Sequence, residues 1–394
     1  MSRPGVVVRI VDADQHIVEP KGIWERWLPT RYQEKAPKLV QDADGGDAWL
    51  FAGASTPDPI GLVTTPGKAY DDFRWTGITY EMARPGCYDG AERLRDMDLD
   101  GIDAALIFPP QRMANHFLGD DDDDFVRAGV AAYNDFMWDE FCTPDHSRLV
   151  GLAQIGTTGI DDAIETMRKA KARGFKGVIL ASWPSASDTI SDDDDPFWAA
   201  CVDEGMNIAI HIFMMGRAAR IAARAATQAA GGPGYYKGKG QASAATRGKA
   251  IGGLANLFGT VPDTISQFIF SGVFERFPAL RVALIETGVG WIPHFLEAMD
   301  DRYWRNRGWG GIELRDPPSH YWYSNMAASY VSDPVGIKLR HEVGVENMMW
   351  SSDYPHHVND WPYSRKLINL TLAGTAADDR ARIVGGNVAR IFGI

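Results

Sequence analysis

Residues 11–20 read VDADQHIVEP, and Val6 to Ile10 before them read VVVRI. A β-branched apolar run of this kind predicts a strand over 6–13, buried on both faces. The run passes without a turn into two acids, Asp12 and Asp14, and a histidine, His16. Such groups are costly to bury unless they are hydrogen-bonded, paired or bound to a metal. What they are for depends on what the other strands carry at the same end.

Seven further runs have strand character: 102–108 (IDAALIF), 149–155 (LVGLAQI), 176–181 (KGVILA), 207–213 (NIAIHIF), 281–286 (RVALIE), 321–328 (YWYSNMAA) and 347–353 (NMMWSSD). Between them lie helix-like segments at 91–101, 124–141, 160–174, 196–205, 264–277 and 290–304, several ending in glycine as helices commonly do. Eight strands alternating with helices predict an α/β protein, a single (β/α)8 TIM barrel spanning 1–394, with a doubly wound sheet as the competing architecture. Two long insertions interrupt the alternation, at 30–90 after the first strand and at 214–262 after the fifth. In a barrel both fall at the C-terminal face of the strands, where active sites are built.

The strand ends then share a chemistry. The first ends in Asp14 and His16, the fifth in His211, the sixth in Glu286 and the eighth in Asp353. In a barrel these converge on one mouth and form a nitrogen/oxygen set suited to a divalent ion such as zinc, manganese or iron. The i, i+2 spacing of Asp14 and His16 places them on one side of an extended segment. A lone histidine or aspartate at a strand end is usually a cap; four such residues at four strand ends favour a metal. Asp12 is assigned instead to a backbone donor or a neighbouring arginine.

VDADQHIVEP, SGVFERFP (271–278), SSDYPH (351–356) and the closing GGNVARIFGI (385–394) together resemble the amidohydrolase-related branch of the amidohydrolase superfamily, which includes aminocarboxymuconate semialdehyde decarboxylase and resorcylate decarboxylases. The resemblance implies a distorted barrel with a divalent metal held by Asp14, His16, His211 and Asp353. It also marks a departure. Where the family usually has a histidine followed by glycines after strand six, this chain has Glu286, with His294 eight residues on in GWIPH. Glu286 is therefore a candidate acid/base, assisted by His294 or His356, in a metal-dependent hydrolase or decarboxylase of an anionic, cyclic organic acid. The alternative is a dinuclear iron monooxygenase acting on a polycyclic, diterpenoid-like acid or its coenzyme A thioester. In it, Asp14, His16, His211, Glu286, His294 and Asp353 hold two ions and Glu286 bridges. A third reading is an inactive barrel that only binds. His356 and His357 flank Asp353 as groups that orient ligands or substrate.

Insertion 214–262 contains no acid and seven bases, Arg217, Arg220, Arg224, Lys237, Lys239, Arg247 and Lys249, in a chain of net charge -12. It is read as a lid that draws an anionic substrate to the mouth, with Lys237, Lys239, Arg247, Tyr235, Tyr236 and Trp291 as substrate-binding candidates. The competing reading is an acid-patch docking surface within an oligomer. The acidic runs 120–124 and 192–195 precede helices and are read as caps. The negative charge argues against nucleic acid as a partner. Cys87, Cys142 and Cys201 are far apart and form no thiolate zinc pattern. The N-terminal apolar run is too short for a signal peptide, and no run approaches the roughly eighteen apolar residues of a membrane span. A cytoplasmic homo-oligomer is expected.

Overall fold

Eight parallel segments form the wall: β1 (Val11–His16), β2 (Ala104–Phe108), β3 (Leu149–Gly151 and Ala153–Gln154), β4 (Gly177–Leu180), β5 (Asn207–His211), β6 (Val282–Ile285), β7 (Met326–Tyr330) and β8 (Met348–Trp350). They belong to a computed structural model that describes residues 9–109, 117–212, 214–229 and 243–394. β1 pairs with β2 and β2 with the first part of β3; the second part of β3 continues in order through β8. The ring closes where the chain beyond β8 returns to β1. Gln15 bridges Tyr354 in parallel register, His16 N donates to Tyr354 O at 2.7 Å, and Asp353 N donates to Asp14 O at 3.0 Å. The architecture is the expected (β/α)8 barrel.

Alternate strand residues face opposite ways. Val11, Ala13, Ala104, Leu106, Phe108, Ile179, Ala209, Ala283, Ile285, Ala327 and Met349 form one buried cluster with Val388, Ile391 and Phe392 of the C-terminal helix (Asn387–Phe392). This is the barrel interior. Ala105, Ile107, Val178, Leu180, Ile208, Ile210, Leu284 and Ala328 join the larger cluster that packs the wall against its helices. The period of two along each strand is what a wall buried on both faces requires.

β1 breaks that period. Asp12 is opposite Ala105 and Gln15 is opposite Ile107, so two residues, Ala13 and Asp14, face the single residue Leu106. This is a β-bulge. Without it, Ala13 and Gln15 would point inward with Val11, and Asp14 and His16 would point into the wall. The bulge shifts the phase so that His16 lies opposite the inward-facing Phe108.

The strand predicted over 6–13 is observed at Val11–His16, so its ligand-type residues lie within the strand; 1–8 fall outside the described residues. The strand predicted over 321–328 is corrected: Pro318–Asn325 is a helix, and β7 begins at Met326. Pro318 pre-sets the first turn, and the Trp322 indole is buried with its N–H on Val343 O at 2.8 Å. Tertiary packing overrides the β propensity of the aromatics. The helix predicted over 264–277 is two, Val261–Phe270 and Val273–Arg276, divided at Gly272 with φ 72°.

Insertion 30–90 carries a three-stranded antiparallel sheet, Lys38–Gln41, Asp47–Leu50 and Asp58–Pro59. Insertion 214–262 forms helices Arg217–Ala229 and Ala244–Ala255. The acidic runs act as caps, as expected: Asp122 accepts from Phe125 N, and Ser191 and Asp194 form a capping box. Among the described residues, no helix is long and apolar enough to cross a membrane.

Candidate metal centre

His16 places its Nδ1 at 2.7 Å from Pro109 O. A carbonyl can only accept, so Nδ1 carries a proton and Nε2 is the nitrogen left to face the barrel axis. That Nε2 lies 2.9 Å from His211 Nε2, 3.1 Å from Asp14 Oδ1 and 3.3 Å from Asp353 Oδ1. His211 Nε2 lies 3.4 Å from Asp14 Oδ2. One donor atom from each of Asp14, His16, His211 and Asp353 lies within 4.8 Å of all the others, and all four residues are buried.

This arrangement fits a cation. Both Asp14 oxygens and Asp353 Oδ1 are buried, and what faces them is imidazole nitrogen: His16 and His211 against Asp14, His16 and His356 against Asp353. Two carboxylates and two imidazole nitrogens aimed at one point repel unless protons or a metal ion lie between them. The titration pattern says the same. Burial alone would lower His16, but the charge and hydrogen bond of Asp14, with Asp353, hold it well above the ordinary histidine value. Burial alone would raise Asp14 and Asp353. His211 and His16 pull Asp14 below the usual carboxylate range, and His356 and His16 do the same for Asp353. The site gathers positive charge, and a divalent ion with oxygen and imidazole ligands satisfies it.

Glu286 directly follows β6. Its Oε2 is 3.8 Å from His211 Nε2, and its side chain keeps 15% of its exposure, so it sits at the rim of the cluster. Burial, then the charges of Asp353 and Asp14, hold its carboxyl well above the usual range. Three non-glycine residues at these strand ends adopt left-handed backbone: Ile212 at φ 65°, Glu286 at 59° and Asp353 at 56°. Such conformations are sparsely populated and cluster at functional sites. Ser329 of β7 holds Glu286 there by accepting its backbone N–H at 2.8 Å.

His356 stacks on His16, with ring centroids 4.1 Å apart, and its Nδ1 is 3.0 Å from Asp353 Oδ1. Burial lowers its pKa to about 4 against the opposing charge of Asp353, so it is a neutral partner of that ligand at neutral pH. Insertion 30–90 reaches this loop through Thr65, whose hydroxyl donates to His356 O at 2.8 Å.

The structure thus brings Asp14, His16, His211 and Asp353 together, with Glu286 and His356 beside them. His294 does not join them: it is exposed on the helix Ile292–Gly310, so the six-ligand set of the two-iron reading is not assembled. Trp291 is half-buried, its indole donating to Thr287 O at 2.9 Å and its ring stacked on Phe258. Tyr235, Tyr236, Lys237 and Lys239 lie outside the described residues; Arg247 is placed in the helix Ala244–Ala255, its side chain undescribed. Among the described bases of the insertion, Arg217 meets Asp123 and Arg224 meets Asp120. Pattern reading missed the residues behind the site: Arg93, Ser329, Ser352 and Thr65. None of them left a signal that sets it apart: Arg93 stands beside Arg95 in AERLRDMDLD, and only the structure shows which of the two is buried.

The sequence model of the amidohydrolase family matches residues 11–394. The chain belongs to the amidohydrolase family. Its fold is shared by an amidohydrolase from Mycobacterium avium subsp. paratuberculosis, with TM-score 0.70 and 18% identity over 98% of this chain and 100% of that one. It is shared too by 5-carboxyvanillate decarboxylase from Sphingomonas paucimobilis, with TM-score 0.63 and 21% identity over 98% and 99%. The same enzyme from Novosphingobium aromaticivorans, complexed with manganese and 4-hydroxy-3-methoxy-5-nitrobenzoic acid, gives TM-score 0.64 and 15% identity over 98% and 97%. Among curated proteins, the decarboxylase orsB of Emericella nidulans is 27% identical over 206 residues, 50% of this chain and 55% of that relative. The match therefore spans about half of the relative's length. Of the readings drawn from sequence, the family, the barrel and the enzyme class stand.

Proposed function

We propose that this member of the amidohydrolase family is a metal-dependent carboxy-lyase that removes CO2 from an aromatic carboxylic acid. The observation that carries the reading is the buried Asp14–His16–His211–Asp353 cluster, with the carboxyl of Glu286, which burial and its acidic neighbours push toward the protonated form, at its rim. The relatives support the reaction class: three with this fold or sequence bear the name decarboxylase, and one of these binds manganese and a nitrobenzoic acid.

A divalent ion held by the four donors supplies positive charge to bind and polarise the oxygens of an anionic aromatic substrate. The rest falls to side chains of this chain. Glu286, kept protonated by burial and by its acidic neighbours, delivers a proton to the ring carbon that bears the carboxylate. The bond from that carbon to the carboxylate then breaks, its electron pair returns to the ring and CO2 leaves. Water restores the proton on Glu286. Ser329 fixes the backbone from which Glu286 projects, and His356 packs His16 in place.

The test is CO2 release from a panel of hydroxylated benzoic acids by protein loaded with manganese or zinc, run beside a panel of esters and amides. Metal-dependent CO2 release that chelation abolishes is expected. Turnover of esters or amides alone replaces the lyase with a hydrolase.

A further inference from the structure

β1 carries a third carboxylate that the donor set does not use. Asp12 is fully buried, two residues before Asp14. Its Oδ1 accepts from Asp14 N at 3.1 Å and from Ser352 N at 2.9 Å. Its Oδ2 accepts from the Gln15 side-chain amide at 2.9 Å and from the Ser352 hydroxyl. Both oxygens are filled by donors, and neither is left for a cation.

The placement of these bonds matters more than their number. Asp14 N belongs to the bulge, where the β1–β2 ladder offers it no partner. Asp12 takes that N–H and so holds the extra residue that turns Asp14 and His16 inward. Ser352 immediately precedes Asp353, which sits in the left-handed region at φ 56°. A non-glycine residue stays there only where its surroundings over-determine it. The same carboxylate therefore ties the two carboxylate donors, from opposite ends of the chain, to one point on the outer side of the wall. Behind it, Gln15 Oε1 accepts from Arg93 Nη1 at 3.2 Å, and Arg93 Nη2 donates to His16 O at 2.6 Å.

We infer that Asp12 is a positioning residue for the metal centre: its carboxylate clamps the β1 bulge to Ser352 and so sets the spacing of Asp14 and Asp353 that holds the ion. The inference rests on the metal-centre reading above. A group that only stabilises the barrel would alter unfolding and leave the affinity of the folded protein for metal unchanged. A group that sets donor spacing alters affinity in the folded protein.

The experiment is titration of chelated, folded protein with Mn2+, reading free Mn2+ by its paramagnetic resonance, with circular dichroism and thermal unfolding alongside. Asp12→Asn is expected to weaken Mn2+ binding about 10–100-fold, the range for groups that orient metal ligands. Ser352→Ala is expected to weaken it less, and Ser352→Thr to restore it. If Asp12→Asn does not fold, the Ser352 pair carries the test. Native-like folded variants that bind Mn2+ as tightly as the parent overturn the inference. A parent protein that binds no Mn2+, Zn2+ or Fe2+ overturns the metal reading instead, so the two failures are distinct.

Discussion

His16 and His211 meet Nε2 to Nε2 at 2.9 Å, although one comes from β1 and the other from β5. Because Nδ1 of His16 is committed to Pro109 O, Nε2 is the nitrogen that it turns to that meeting. A bare imidazole pair beside two buried carboxylates holds together only around positive charge.

The first prediction follows directly. His211→Ala and Asp353→Asn each remove a donor from a cluster that the fold does not need for its apolar packing, which lies in the strands below. Both variants should fold, with native far-ultraviolet dichroism, and lose bound metal by orders of magnitude in elemental analysis after gel filtration. Parent-like metal content in both would remove these residues from the ligand set.

The second concerns pH. Without metal, native His16 holds its proton well above the unfolded value of 6.5. The native state then binds more protons than the unfolded chain, so this contribution is fully present below 6.5 and is lost as pH rises through the native pKa. With metal bound, protons compete with the ion for the imidazoles and stability changes the other way. Urea unfolding on either side of 6.5 should therefore show opposite pH slopes for chelated and loaded protein. Slopes of the same sign would mean that the ion does not bind through the imidazoles.

How much of this was legible depends on what each residue's signal rests on. The barrel could be read because near-continuous apolar runs such as IDAALIF and NIAIHIF report burial on both faces. His211 and Asp353 could be read because each stands where such a run stops. The bulge could not: strict alternation from Val11 and Ala13 points Asp14 and His16 into the wall, and only the pairing with β2 shows the extra residue. β7 was displaced because YWYSN has strand-like composition but packs as a helix. His294 looked like a ligand by proximity to Glu286 in sequence, yet eight residues of loop and helix carry it to the surface.

Arg93 supplies the third prediction. It is fully buried, and besides His16 O and Gln15 its Nε donates to Gly86 O at 2.6 Å. Its guanidinium also lies 4.3 Å from the Tyr354 ring. Arg93→Met keeps the bulk but leaves buried carbonyls without donors. Stability should fall by about 3 kcal/mol or more, since each charged hydrogen bond contributes about 1.5–3 kcal/mol. Urea unfolding measures it, and a loss below about 1 kcal/mol would show that water or rearranged neighbours replace the guanidinium.

The helix Arg217–Ala229 supplies the fourth. Asp120, only 3% exposed, receives Lys35 Nζ and Arg224 Nη1, each at 2.7 Å, and Arg217 pairs with Asp123. The acidic run thus anchors the basic insertion by charge. Asp120→Asn weakens both ion pairs and should speed amide exchange across 217–229 while leaving exchange in β5 and β6 unchanged. Uniform exchange across the molecule would assign Asp120 to global stability instead.

The last prediction separates Glu286 as a proton donor from Glu286 as a packing group. Glu286→Gln keeps the shape and the backbone bond to Ser329 but removes the acidic proton. General acid catalysis is typically worth about 10²–10⁴-fold, so CO2 release should fall by about that factor with substrate affinity nearly unchanged. Metal content should stay at the parent level, because the four donors are complete without Glu286. A second readout guards the assignment. The parent rate should decline as pH rises through the elevated Glu286 pKa, since only the protonated carboxyl can donate, and this limb should vanish from the residual activity of Glu286→Gln. A variant that keeps the parent rate and its alkaline limb would return Glu286 to a structural role and leave the proton to be supplied from elsewhere in the mouth.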